Sequence, residues 1–234
     1  MNRYYRIMLV AGARPNFMKI APILRALGKR KDVKGLAWKL VHTGQHYDYE
    51  MSQAFFDDLE IPKPDYFLEA GSGSHAEQTA KIMIPFEKVC EEHRPNLVVV
   101  VGDVNSTLAC SVVAKKMGIE VAHVEAGLRS FDLSMPEEIN RMVTDAISDY
   151  FFVTEKSGVD NLKKEGKSED GIFFVGHVMI DNLLYQLNRA NNGNLQFKQR
   201  ELKEQIGRYI FMTLHRPSNV DQKTTLEPIM AVLN

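Results

Sequence analysis

Residues 96–109, NLVVVVGDVNSTLA, decide how the rest of the chain is read. Leu97 to Val101 are apolar without interruption, and the run ends at Gly102-Asp103 before a helical stretch begins. A strand with one wet face alternates apolar and polar residues, whereas a strand covered on both faces is apolar throughout. Strands of the second kind belong to parallel sheets, whose crossover helices lie on both faces.

The same strand-helix alternation extends outward from this stretch. Toward the N-terminus, RIMLVAGA (6–13) leads into NFMKIAPILRALGKR (16–30), where Ile20, Ile23, Leu24 and Leu27 recur at helical spacing. LAWKLVHTG (36–44) precedes a helical YDYEMSQAFFDDL (47–59), and the Pro/Gly/Ser-rich IPKPDYFLEAGSGS (61–74) breaks the pattern. HAEQTAKIMIPFEKVCEEH (75–93) predicts a helix kinked at Pro85. Toward the C-terminus come strand EVAHVEAG (120–127), helix PEEINRMVTDAIS (136–148), strand YFFVTE (150–155), helix KSGVDNLKKEG (156–166) and strand GIFFVGH (171–177). Residues 1–176 therefore predict an α/β domain, a Rossmann-like doubly wound parallel sheet. Beyond it lie a helix at 176–190, a polar linker, a charged helix, a strand and loop in RYIFMTLHRPSNV (208–220) and a last helix. One strand and a few helices cannot close a core. Residues 177–234 are thus expected to be a linker helix and the incomplete start of a second domain, the chain being part of something longer.

Composition narrows the function classes. With 44% hydrophobic residues, 25% charged residues and a net charge of -1, the chain has no global attraction for nucleic acid or an anionic membrane surface. Its longest aliphatic run, Leu97–Val101, is far short of the roughly 20 residues a spanning helix needs. The start MNRYYRIMLVAGARP mimics a signal peptide, but a short apolar core followed directly by an amphipathic helix reads better as a buried first strand. Cys90 and Cys110 form no CxxC pair, so two reduced, buried thiols in a cytoplasmic protein are expected.

In parallel sheets the ligand crevice lies beyond the carboxyl ends of the strands. GARPNFMK (12–19) puts Arg14 and Lys19 at a helix N-terminus, which suits a phosphate or carboxylate, or else a solvated turn. Its single glycine argues against a dinucleotide fingerprint, which needs three. HTGQH (42–46) reads as a strand-end loop whose Gln45 and His46 make hydrogen bonds; His42 and His46 are four apart, but Gly44 and the preceding strand speak against a helical metal pair. Asp103 or Asn105 either caps the following helix or faces ligand. In HVEAGLRSFDLSMPEEINR (123–141), Glu137 or Glu138 can pair locally with Arg141 for about 0.2–0.5 kcal/mol, but that leaves the crowding of Glu125, Arg129 and Asp132 unexplained. Several carboxylates in one crevice have their pKa values pushed apart, as paired acid and base work requires. TLHRPSNVD (213–221) adds His215, able to contact phosphate or carry a proton.

Taken together, GARPNFMKIAP, TGQHYDYEM, VVGDVNSTLA, HVEAGLRSFDLSMPEEINR, GHVMID and TLHRPSNVD resemble the UDP-N-acetylglucosamine 2-epimerase family over essentially the whole chain. The resemblance implies two Rossmann-like domains facing across a cleft, the GT-B arrangement, with UDP held mainly by the second. It implies interconversion of UDP-GlcNAc and UDP-ManNAc without a cofactor or metal, through loss of the C2 proton and of UDP to give a 2-acetamidoglucal. Asp103, Glu125 and Glu137 are then the acid/base candidates; His215, Arg14, Lys19 and Arg141 contact phosphate or the leaving group, and Gln45 and His46 contact substrate. A homodimer is expected of the full-length protein. GHVMID departs from the family's GNxxID by placing His177 where Asn is usual, and GSGSHAEQTA lacks the basic stretch that some members use for an activating UDP-GlcNAc. A hydrolysing branch releasing ManNAc and UDP, a GT-B glycosyltransferase and a non-catalytic nucleotide-sugar binder are the alternatives.

Overall fold

The structure is a computed structural model that describes residues 4–30, 33–44, 56–193, 200–214 and 217–233. Leu97–Val101 is strand β4, inside a seven-stranded sheet. The other strands are β1 (Tyr5–Ala11), β2 (Leu36–His42), β3 (Tyr66–Phe67), β5 (Glu120–Val124), β6 (Tyr150–Val153) and β7 (Ile172–Phe174). Their spatial order is β3-β2-β1-β4-β5-β6-β7, and every neighbouring pair is parallel. This is the Rossmann-like sheet the sequence predicts.

The unbroken apolar run of β4 has a direct cause. Val98 and Val100 pack into one core layer with Ile82, Phe86, Val89 and Cys90 of helix α2 (His75–His93) and Ala109, Cys110, Val113 and Ala114 of helix α3 (Asn105–Lys116). Val99 and Val101 point the other way, into a layer with Phe17, Ile20, Ala21 and Leu24 of helix α1 (Arg14–Lys29). Successive strand residues face opposite sides, so a two-sided core demands an apolar residue at each position.

Helix α2 begins with a reciprocal cap: Ser74 Oγ accepts the Glu77 N–H at 3.3 Å, and Glu77 Oε2 accepts the Ser74 N–H at 3.0 Å. The helix is continuous through Pro85. Two further helices complete the crossovers, α4 (Pro136–Ile147) and α5 (Lys156–Lys164). Strand β3 lies in the stretch where the sequence pattern breaks; two residues are too few for any periodicity to show.

The chain order reverses direction at β1, which has β2 on one side and β4 on the other. Crevices in open α/β sheets form at such switch points. Helix α1, which follows β1, carries Arg14 and Lys19, and the loop after β4 carries Asp103.

The chain forms two compact units, Met1–Leu187 and Asn188–Asn234. The first includes most of helix α6 (Val178–Asn191), because Arg25 donates to Asn182 Oδ1 at 2.8 Å, Tyr185 bonds Glu60, and Gln186 donates to the Asp58 carbonyl at 3.0 Å. The second contains α7 (Arg200–Ile206), α8 (Pro217–Val220) and α9 (Lys223–Leu233). The strand expected within residues 208–220 is not formed among the described residues: Ile210 is 90% exposed and Phe211 82%. A strand needs a partner for its N–H and C=O groups, and the described part of this unit offers none. No described helix is long and apolar enough to cross a membrane.

Candidate functional site

Four of the sequence-predicted residues meet in two ion pairs at the carboxyl edge of the sheet. Lys19, 8% exposed on α1, pairs with Glu125 Oε2, and Asp103 Oδ2 accepts from Arg141 Nη1 at 2.6 Å. The pairs adjoin at Gly102. A Cβ there would sit 2.9 Å from Lys19 Nζ and 3.4 Å from Glu125 Oε2, and the residue has φ of 69°. The positive φ favours glycine, and a Cβ would press on the Lys19 ammonium. Asn16 fixes this corner from below: it accepts the N–H groups of Gly12 (3.3 Å) and Ala13 (2.9 Å) and donates to the Val101 carbonyl at 2.9 Å, tying the β1–α1 turn to the end of β4. Glu125 itself follows β5 with φ of 74°, a conformation costly for a residue with a Cβ. His177 Nε2 lies 3.9 Å from its other oxygen, Oε1.

Arg141 is held by two acids. Besides Asp103, Glu138 Oε2 accepts from its Nε at 2.9 Å and Nη2 at 2.7 Å. Glu138 is buried and also accepts the N–H groups of Ser130 (3.0 Å) and Phe131 (3.0 Å). Burial opposes its charge, but those donors and Arg141 outweigh it and hold its pKa below the ordinary glutamate value. Of the two local partners open to Arg141, Glu138 is the one used. Glu137 is exposed in the first turn of α4, and Arg14 is exposed at the first residue of α1. Gln45, His46 and His215 lie outside the described residues.

Asp103 and Asn105 do not cap α3, whose capping residue is Val104 and has no side-chain bond. Asp103 is engaged by Arg141 instead, and Asn105 bonds Gln78 at 2.7 Å and Asn140 at 3.3 Å. The loop acids divide by role. Asp132 makes a tight turn with Ser134, accepting from its Oγ at 2.6 Å and its N–H at 2.9 Å, which lowers its pKa. Arg129 is turned inward. Its Nη1 donates to Asp145 at 2.7 Å, while Nε and Nη2 form a fork on Glu165 at 2.8 and 2.7 Å.

Asp145, 0% exposed, belongs to a group the sequence reading passed over. Its Oδ1 lies 2.6 Å from His123 Nδ1, and His123 Nε2 lies 2.8 Å from the Gly102 carbonyl. His123 and Asp145 stand 22 residues apart on different elements, so no local periodicity joins them. Among the described residues, no group of three His, Cys, Asp or Glu side chains is placed to hold a metal ion.

A Rossmann-like α/β protein with paired carboxylates and cations at its switch point is the class this fold and site define. The sequence model of the family described as UDP-N-acetylglucosamine 2-epimerase matches residues 28–234, and the chain belongs to that family. It is 44% identical over 228 residues to the UDP-N-acetylglucosamine 2-epimerase of Methanocaldococcus jannaschii, covering 96% of this chain and 60% of that protein. It is 41% identical over 231 residues to the UDP-2,3-diacetamido-2,3-dideoxy-D-glucuronate 2-epimerase of Pseudomonas aeruginosa, covering 98% and 62%. The crystal structure of the Methanocaldococcus jannaschii enzyme in complex with UDP-GlcNAc and UDP superposes with a TM-score of 0.82 at 42% identity, covering 97% of this chain and 61% of that one. This chain thus spans about three-fifths of the length of these relatives.

Proposed function

We propose that this chain forms the first-domain half of an enzyme that interconverts UDP-GlcNAc and UDP-ManNAc at C2. The observation that carries the reading is the adjacency of Lys19–Glu125 and Asp103–Arg141 at the switch point, within a chain of this family. One carboxylate removes the C2 proton; the C–H electron pair forms the C1=C2 double bond of a 2-acetamidoglucal as the C1–O bond to UDP breaks. Re-addition of UDP with protonation from the opposite face gives the epimer. The reaction is redox-neutral overall and calls on no cofactor. A base, an acid and cations for the departing diphosphate suffice.

Asp103, Glu125 and Glu137 are the acid/base set in this reading. Arg14, Lys19, Arg141 and His215 serve the diphosphate and leaving group, and Gln45 and His46 the bound substrate. Glu125 and Asp103 are each held by a cation while staying partly open to solvent, which suits a charge that must also meet substrate. In the whole protein a second Rossmann-like domain supplies most of the grip on UDP, in a GT-B arrangement. We place the protein in the cytoplasm, in keeping with the free, buried thiols of Cys90 and Cys110. We assign the whole protein as a homodimer. Supporting that, α4 turns Glu138, Asn140, Thr144 and Asp145 inward and leaves Ile139, Met142 and Val143 exposed, with Ile84 exposed on α2. An apolar outer face of this kind suits a second copy.

The deciding assay gives a version extended to the length of its relatives UDP-GlcNAc in D2O. Deuterium is expected at C2 with formation of UDP-ManNAc, and both Glu125→Gln and Asp103→Asn should abolish exchange. Hydrogen retained at C2 sinks the epimerase reading. Free ManNAc and UDP as products would place the enzyme in the hydrolysing branch. Faster turnover of the diacetamido-glucuronate nucleotide would replace the substrate while keeping the C2 chemistry.

A further inference from the structure

The buried group beneath the two ion pairs is not used by the chemistry above, yet it joins the loops that carry both acids. Gly102 immediately precedes Asp103, and Gly127 lies just beyond Glu125. A single hydrogen-bonded chain connects them. The Gly102 carbonyl faces His123 Nε2 at 2.8 Å, His123 Nδ1 faces Asp145 Oδ1 at 2.6 Å, and Asp145 Oδ2 accepts the Gly127 N–H at 3.0 Å.

Donor and acceptor inventory fixes the protonation. A carbonyl oxygen only accepts, so Nε2 must carry a hydrogen. Between Nδ1 and Oδ1 one more proton is needed, because two lone pairs 2.6 Å apart would repel. Asp145 Oδ2 already accepts from Gly127 and from Arg129 Nη1 at 2.7 Å, and both contacts favour the carboxylate. The second proton therefore resides on His123. The charges close as a quartet: His123 and Arg129 are positive, Asp145 and Glu165 negative. The charged groups acting on His123 are Asp145 from α4 and Glu125, just past the end of its own strand, and Glu125 is itself paired with Lys19 of α1. Burial alone would push the imidazole pKa down, but Asp145, the Gly102 carbonyl and Glu125 together raise it.

We infer that His123 and Asp145 form a buried, charged clamp that fixes the Gly102-Asp103 turn against the Glu125–Gly127 turn. His123 is thus a positioning residue for both acids, and this role rests on the epimerase reading of those acids. A neutral or missing imidazole leaves the fold's strands paired but frees one turn relative to the other. Displacements of about 1 Å between reacting groups can cost on the order of a hundredfold in rate, so the clamp acts on turnover more than on binding.

Two measurements test it. Side-chain 15N–1H correlation spectra of the 234-residue chain at pH 8 should show both His123 nitrogens protonated, where an ordinary imidazole is neutral. A lone-pair nitrogen at either position overturns the clamp, whatever the protein catalyses. In the extended enzyme, His123→Gln should lower kcat for C2 exchange by roughly tenfold to a hundredfold while KM stays within about twofold. Unchanged kcat in folded H123Q overturns the positioning role. If H123Q does not fold, the nitrogen spectrum still decides the charged state, and Asp145→Asn in the extended enzyme carries the same kcat expectation. An extended wild-type enzyme that shows no C2 exchange, with both nitrogens protonated, would fault the epimerase reading and leave the charged clamp standing.

Discussion

Buried Asp145 and the rim acids Glu125 and Asp103 stand far apart in sequence, are joined through His123 and Gly102, and are treated very differently. Asp145 is wholly buried, and its two oxygens meet His123, Arg129 and the Gly127 N–H. Glu125 and Asp103 each meet one cation, and their side chains remain 14% and 33% exposed. A buried charge with both oxygens engaged and no exposed surface has no access to a ligand, whereas one with a wetted side can exchange water for substrate. The contrast assigns scaffold to Asp145 and chemistry to the rim.

The sharpest way to break the contrast is Asp145→Ala. It strands buried His123 and leaves Arg129 with Glu165 alone, so about 3–5 kcal/mol of stability should be lost, read as a lower urea midpoint or as the absence of a cooperative transition. A loss below about 1 kcal/mol would mean the network is not scaffold.

Next comes pH. Asp145 is held below the ordinary carboxylate value: burial pushes it up, but His123 and Arg129 more than compensate. Its contribution to stability is present above that value, 3.8, and is lost as pH falls through the lowered folded value. His123 is held above its ordinary 6.5, so its contribution is full below 6.5 and is lost as pH rises through the raised folded value. Thermal midpoints measured across pH should therefore fall on both sides of a plateau, and His123→Gln should remove the alkaline fall. An alkaline limb that persists in H123Q would assign it to other groups.

The smallest effect on stability is expected at Glu137, which is exposed in the first turn of α4. Glu137→Gln should change unfolding free energy by no more than about 0.5 kcal/mol. Loss of C2 exchange in that same stable variant would keep Glu137 in the acid/base set; full exchange would remove it and leave the work to Glu125 and Asp103.

The sheet was legible because β4 is apolar on both faces, and helix-spaced apolar residues follow the strands with little interruption. Strand β3 was hidden by its length, and the strand expected within residues 208–220 is not formed among the described residues because apolar residues alone do not make a strand without a partner. At the site, Asp103 and Glu125 could be found by their position next to strand ends, while Lys19 and Arg141 were found near the starts of the helices that follow. Helical spacing allowed both Glu137 and Glu138 to reach Arg141, and only burial chose between them. Helix α4 was found within a residue of its bounds, but its buried face was not legible. Its polar residues face inward to build the network, and its apolar ones face out, the reverse of the usual pattern. A polar residue that is buried because a distant partner satisfies it leaves no periodic trace.

Glu125 stands in the left-handed region, where a side chain bearing a Cβ costs about 1–2 kcal/mol and where glycine or asparagine rests more easily. Selection for durability alone would exchange it for one of those. A population of random variants sorted first for folding and then for turnover should separate at this position: the sturdiest survivors carry the smaller residue, and the working ones keep the awkward acid.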